Sequence, residues 1–238
     1  MQSRLNKQLF NTSTHDSGAL GMMAMVIHPF GTAGRHRAVV MSQGRPVAEV
    51  EFDVDATSTV MQHDIDLAQV AQQGRQRPEA CACKGAVQSV GTVSPKGYVL
   101  FHASSGHGHS VVVNNADGKP VFDSTVLNDG DLFAVSLLEP TRYTLRNTAG
   151  SAKGEIEVAF NDEIAKRIQQ LETRYVDVHE KAFEPGFIEL ASTQGLVFRI
   201  KGPSRIVIEK QAPGQTDARK PVIRWQKPLT RATGATST

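Results

Sequence analysis

Cysteine is nearly missing from this chain of 238 residues: Cys81 and Cys83 are the only two. A single intervening residue leaves no relaxed geometry for a disulfide between them. No disulfide framework therefore holds the fold, and this usage fits a reducing compartment. A thiolate zinc site needs a second cysteine pair, which the chain lacks. Aromatic residues make up 6% of the chain, with one tryptophan, which leaves little for a sugar-binding platform of exposed rings. No sign of charge dominates, since 26 Lys and Arg stand against 24 Asp and Glu. A net charge of +2 does not by itself call for a polyanionic partner. The longest apolar run, Ala19–Ile27, is about half a membrane span. His15 and Asp16 precede it, and the following His-Pro-Phe is a poor cleavage sequence, so it reads as a buried strand or an anchoring arm rather than a secretory signal. Neither a nucleophile elbow nor a phosphate loop is present, and Gly106-His-Gly108 lacks the third glycine and following helix of a dinucleotide fingerprint.

The chain does carry strand signals at short intervals. Residues 1–18 are polar and read as an arm. In region 19–84, Arg37–Met41 and Pro46–Val54 form a hairpin, the second run alternating Val50, Phe52 and Val54 with Glu49, Glu51 and Asp53. Such alternation marks a half-buried strand with an acidic outer face. Asp64–Gln73 reads as a short helix capped by Asp64, with Gly74–Pro78 as an exposed loop. Between 85 and 160, strands are predicted at about 86–93, 97–103, 109–114, 119–123, 131–138, 142–147 and 154–160. Asn115-Ala-Asp-Gly118 and Asn128-Asp-Gly130 supply turns between them. Many short strands with such turns point to an all-β sandwich.

The pattern changes at Asn161. Ile164, Ile168, Leu171, Tyr175 and Val178 fall at helical spacing, and Asn161 with Asp162 and Glu163 suits a helix N-terminus. This predicts one amphipathic helix over 161–182, packed on the sandwich edge or forming a seam between subunits. Strands return in 183–210, either completing the sandwich or beginning a second copy. The tail 211–238 is basic and rich in proline, with Arg224 and Trp225 as an anchor for docking on another protein. A solvated arm is the plainer alternative. Binding of nucleic acid is disfavoured because aromatics for base stacking are not interleaved.

Val99-Leu-Phe-His102, Gly106-His-Gly-His-Ser-Val-Val-Val113, Asp129-Gly-Asp-Leu-Phe-Ala-Val135 and Arg142-Tyr-Thr-Leu-Arg-Asn147, closing on Gly154-Glu-Ile-Glu-Val158, together resemble the second half of a cupredoxin. The resemblance implies a Greek-key sandwich. It places His109 where the first copper histidine stands and Tyr143 and Gly154 at the flanks of the ligand loop. The thiolate position is then Asn147, the second histidine position is near Gly150, and no methionine lies between Asn147 and Gly154. Blue copper needs a thiolate and two imidazoles, so electron transfer is disfavoured.

His102, His107 and His109 are the only dense group of metal-capable side chains. Three imidazoles suffice for zinc or copper with a water; solvated rings on a glycine-rich turn are the alternative. The expectation is a non-enzymatic structural or interaction subunit, cytoplasmic or within an assembled particle such as a virion or shell. It would contact itself or other subunits through its arms and the helix stripe. The alternative is a His-cluster metal-binding protein or metalloenzyme on a cupredoxin-like scaffold.

Overall fold

The computed structural model describes residues 12–76, 88–159 and 172–211. Its elements in chain order are β1 (Thr14–Asp16), β2 (Ala24–His28), β3 (Gly34–Ser42), β4 (Arg45–Val54), β5 (Gln62–Asp66), α1 (Leu67–Gln76), β6 (Gln88–Val93), β7 (Tyr98–His102), β8 (His109–Asn115), β9 (Pro120–Asp123), β10 (Leu132–Ser136), β11 (Arg142–Asn147), β12 (Lys153–Ala159), β13 (Arg174–Val178), β14 (Phe183–Glu184), β15 (Phe187–Ala191), β16 (Gly195–Ile200) and β17 (Ile206–Lys210). The protein is all-β, and among the described residues no helix is long and apolar enough to cross a membrane.

The described strands form three sheets, with orders β1-β17-β11-β12-β15, β14-β13-β16-β10-β2-β7-β5 and β6-β4-β3-β8-β9. Period-two alternation fixes how they stack. In the seven-stranded sheet, Val26, Phe101, Phe133, Val176 and Phe198 are fully buried while their chain neighbours are not. Among the described residues only one face of that sheet is covered, and both five-stranded sheets pack on it. Their buried residues, including Val40, Phe52, Leu145, Ile156 and Ile208, join one core cluster with it. Phe101 stacks on Phe122 from the facing sheet, with ring centres 5.5 Å apart.

The pairing repeats. β3 pairs antiparallel with β4 and β8, β4 parallel with β6, β5 parallel with β7, and β7 antiparallel with β2. In the same order and sense, β11 pairs with β12 and β17, β12 with β15, β13 with β16, and β16 with β10. The chain is two copies of one motif, joined where β2 pairs antiparallel with β10. The opening strand of each copy crosses to the other, β1 onto β17 and β9 onto β8. Asp16-Ser-Gly-Ala-Leu20 and Asp123-Ser-Thr-Val-Leu127 begin the copies. Ser17 Oγ accepts from Ile206 N at 3.0 Å, as Ser124 Oγ does from Val111 N at 2.9 Å. Met23 and Gly130 occupy the same turn, with φ of 67° and 92°. At the junction, His28 Nδ1 meets Asp131 Oδ1 at 2.5 Å, and Asp131 Oδ2 accepts from Asn128 N.

Several expectations are corrected. Residues 174–178 are strand, not helix: Arg-Tyr-Val-Asp-Val alternates, and pairing with β16 buries Val176 and Val178. Long-range sheet contacts override the helical spacing. Ile164, Ile168 and Leu171 lie outside the described residues, as do Cys81, Cys83, Arg224 and Trp225. Asp64 belongs to β5, and the helix begins at Leu67, capped by Asp66 Oδ1 accepting from Ala68 N at 3.0 Å. That helix runs on to Gln76 and absorbs Gly74 and Arg75. Residues 14–16 are a paired strand rather than part of an arm, and the described part of the 19–84 region, residues 19–76, contributes strands to sheets shared with the rest of the chain. Of the two readings of 183–210, the strands complete the body and also belong to a second copy, which begins earlier, at Asp123.

Burial drives the His15 imidazole down to about 4 and also lowers His36, His63 and His109. In the unfolded chain these rings titrate near 6.5. Between those values the unfolded state binds more protons, so stability is fully present above the unfolded value and is lost as pH falls from about 6.5 toward about 4. His15 alone contributes about 3 kcal/mol of that loss. Urea unfolding across this range is expected to show the slope, and His15→Leu to flatten it. A pH-independent unfolding free energy there would contradict the burial of these rings.

Candidate functional site

The turn from β7 to β8 carries the imidazoles. His102 ends β7 on the uncovered face of the seven-stranded sheet, in register with Asp66 of β5. Gly106 and Gly108 take φ of 71° and 77°, a region that favours glycine. The turn thereby folds onto Gln43, whose N–H donates to Gly108 O at 2.8 Å. His109 then opens β8 opposite Ser42. Its backbone exchanges two bonds with Leu20, at 2.6 and 3.0 Å.

His109 is 7% exposed. Its Nδ1 is buried without a hydrogen-bond partner, and its Nε2 lies against Gly106. Burial is the main cause of its lowered pKa. The charges of Arg75 and His107 add to the lowering, against Asp66 and a bond that the ring donates to the Ser105 backbone carbonyl. α1 runs alongside, and Arg75 Nη2 donates to Ser42 Oγ at 3.1 Å. Between helix and turn lies an open cleft of about 430 Å³, with Ser42, Gln72, Arg75, Ser105, His107 and His109 on its wall and no carboxylate among its lining residues. Asp66 ties the structure behind it, since Oδ1 also accepts from Ser104 N at 3.1 Å. Burial works to raise the Asp66 pKa, but the Ser104 and Gln69 bonds and the field of His102 hold it below the ordinary carboxylate range.

His107 and His109 thus share the cleft wall while His102 belongs to the sheet's uncovered face. Among the described residues, no three His, Cys, Asp or Glu side chains gather as a metal-ligand group. The position that the cupredoxin resemblance gives to a thiolate is no better suited. Asn147 is 3% exposed. Its Nδ2 donates to Ser204 Oγ at 3.1 Å, and its Oδ1 accepts from Arg205 N at 3.0 Å and from Ala149 N and Gly150 N at 3.2 Å. A blue-copper centre does not fit these residues.

Asn147 also shows what the second copy does at the equivalent place. Ser204 exchanges two backbone bonds with Leu127, as His109 does with Leu20. There Ser204 and Asn147 satisfy each other, and the Glu180 carbonyl crowds Gly150 so closely that a Cβ would lie 2.2 Å from it. One copy closes this end of its sandwich with direct bonds. The other leaves a cleft and an unpaired ring nitrogen.

The uncovered face of the seven-stranded sheet is the second notable surface. Cross-strand register lines up Tyr175, Val197, Ala134 and Met25 in one row, and Leu132, Ile27 and Leu100 in the next. All are half-buried except Tyr175, which is 55% exposed with the Arg199 guanidinium 5.6 Å from its ring centre. Of the predicted interaction residues on described strands, Tyr175 is available for contact. Val178 is not, being fully buried.

Sequence reading missed Ser42, Gln72 and Arg75. Leu67, Ala68, Val70 and Ala71 form an apolar helical stripe, and Gln72 and Arg75 follow Ala68 and Ala71 by one turn, which was the available signal. Comparison with family models, characterised proteins and solved structures gives no significant match to this chain.

Asn147→Ala should cost about 3 kcal/mol, because several buried donors lose their acceptor together. Ser42→Ala, removing one bond to a solvated arginine, should cost less than about 1 kcal/mol. Urea midpoints of the two variants check the contrast, and equal midpoints would refute the claim that only the second copy is closed by its own bonds.

Proposed function

We propose that this chain is a non-enzymatic structural or interaction subunit that assembles with further copies of itself. The observation that carries this is the apolar, uncovered face of the seven-stranded sheet. A sheet with one face solvated ordinarily alternates apolar inside with polar outside. Here Met25, Ile27, Leu100, Leu132, Ala134 and Val197 put apolar side chains on the outer side as well. A second copy is the occupant that the symmetry favours. The face is built from equivalent strands of two copies of one motif about the β2–β10 pair, and a self-complementary patch is what a two-fold contact requires.

Size limits what this face does alone. Five strands about 4.8 Å apart and four residues of about 3.3 Å each cover roughly 300 Å². A stable interface needs about 800 Å² per partner. The terminal segments, including the basic tail with Trp225, are the natural source of the remainder, which makes a shell-type or virion-like assembly the wider setting. The second reading is metal binding at His107 and His109 with His102. The unpaired Nδ1 of His109 favours it; Arg75 beside that ring and the lack of a converged ligand group count against it.

Light scattering of the full chain should give a dimer or larger species. Ile27→Lys combined with Leu132→Lys, neighbours on the uncovered face, should return it to a monomer with an unchanged unfolding midpoint. Deletion of 212–238 should weaken assembly while the body stays folded. A wild-type monomer would sink the assembly reading. Stoichiometric zinc or copper in protein purified without added metal, lost in a His107→Ala, His109→Ala double variant, would establish the second.

A further inference from the structure

The cleft in the first copy is a feature that assembly does not use. It combines a guanidinium that spends one donor on Ser42, a buried imidazole nitrogen with no partner, and hydroxyl and amide groups from Ser42, Ser105 and Gln72. A buried polar atom without a partner costs about 1–3 kcal/mol, and the second copy shows that this scaffold can avoid that cost by closing the same place with Asn147 and Ser204. The first copy keeps the cost and the opening. A ligand that supplies the missing bond would offset it.

We infer that this cleft binds a small oxyanion that carries its own O–H group, of which hydrogen phosphate and phosphate monoesters are the chemical class. Arg75 and the absence of any lining carboxylate select an anion over a cation; guanidinium is suited to oxyanions by its planar fork of donors. The His109 ring lies with Nε2 against the Ser105–Gly106 backbone and engages the backbone of Ser105. A neutral ring that donates from Nε2 leaves Nδ1 as an acceptor. An acceptor inside an anion site discriminates: an oxyanion with a hydroxyl satisfies it, and a fully deprotonated one leaves it unpaired beside a lone pair. The first can donate to Nδ1 while its charged oxygens take Arg75 and the Ser42 and Ser105 hydroxyls.

The test is titration of the full-length protein with inorganic phosphate and, separately, with sulfate near neutral pH, followed by amide shifts of Gln43, Gly106 and Gly108. Sulfate matches phosphate in shape but carries no proton there. Phosphate is expected to shift these amides and to bind at least about tenfold more tightly than sulfate. Arg75→Gln, at an exposed helix position, should abolish the response without changing the fold. His109→Phe should retain weak anion binding and lose the preference for phosphate. Absence of any phosphate response overturns the site. Equal response to both anions overturns the role of Nδ1. Zinc or copper saturating the same amides, with phosphate silent, overturns the choice of ligand charge. The assembly reading stands or falls separately, on mass.

Discussion

The antiparallel pairing of β2 with β10 is the contact on which the architecture depends. Phe133 stands opposite Val26 and Val135 opposite Ala24, so two three-stranded halves become one seven-stranded sheet once β14 is added. Without that pair, each half would present β2 or β10 as an open edge, a site for unplanned pairing. With it, both edges vanish into the middle of the molecule, and the smaller sheets find one broad covered face to pack on. The crossing of β1 and β9 adds a second tie. Arg205 holds Asp16 through two bonds of 3.0 and 2.8 Å, and this partner raises the Arg205 pKa above its ordinary value. Residues 189 positions apart in sequence are thereby fastened, and neither half keeps its own opening strand.

This joining has a cost that falls on the surface. Widening the sheet to seven strands also widens its other face, and that face has no layer over it within the described chain. The inner side, which two sheets cover, is apolar except for the His28 ring against Phe122 and the His63 ring against Gly91. The outer side is apolar only at its centre, grading to Asp64 and Asp66 on β5 at one margin and to Asp177 and Arg199, bonded at 2.7 Å, near the other. A polar margin beside an apolar centre is compatible with the proposed contact between copies. Burial of the centre would remove from water the side chains nearest the β2–β10 seam, so association and intramolecular joining reinforce one another at the same strands.

Much of the fold was legible in sequence and some of it was not, for identifiable reasons. Strands with strong alternation and firm turns were found nearly to the residue: Arg142–Asn147 matches outright, His109–Asn115 runs one residue past the expected end, and Lys153–Ala159 starts one residue before the expected 154–160, whose last residue lies outside the described residues. Their signals are local. Arg174–Val178 misled because Tyr175 and Val178 continue a 3–4 spacing from Leu171, whereas the alternation of Val176 and Val178 gains meaning only with β16 beside it. The duplication stayed hidden because its strongest trace, Asp-Ser-x-x-Leu, is short, and because each copy carries a different insertion: α1 and its following segment after β5 in the first, residues 160–173 before β13 in the second. At the candidate site, histidines were visible as unusual residues. Arg75 was not, since its partners come from β3 and β8, far away in sequence.

Duplication also changes how the cleft should be understood. A lone protein offers no reference for whether an unpaired buried nitrogen is a tolerated defect. Here the second copy is that reference, folded from the same motif under the same solvent conditions. It places Ser204 where the first has His109, closes on Asn147, and fills the end of its sandwich with the Glu180 backbone instead of a helix. The first copy replaces a small hydroxyl by an imidazole and covers that end with α1, whose Ala68 and Ala71 are too small to fill the space above β3 and β8. The ring therefore gains bulk without gaining a partner, and the helix gains proximity without sealing. Two independent features, the ring and the small residues opposite it, create the opening together. Restoring closure would take changes on both elements, so the cleft is a property of how the helix and the β7–β8 turn were built against each other.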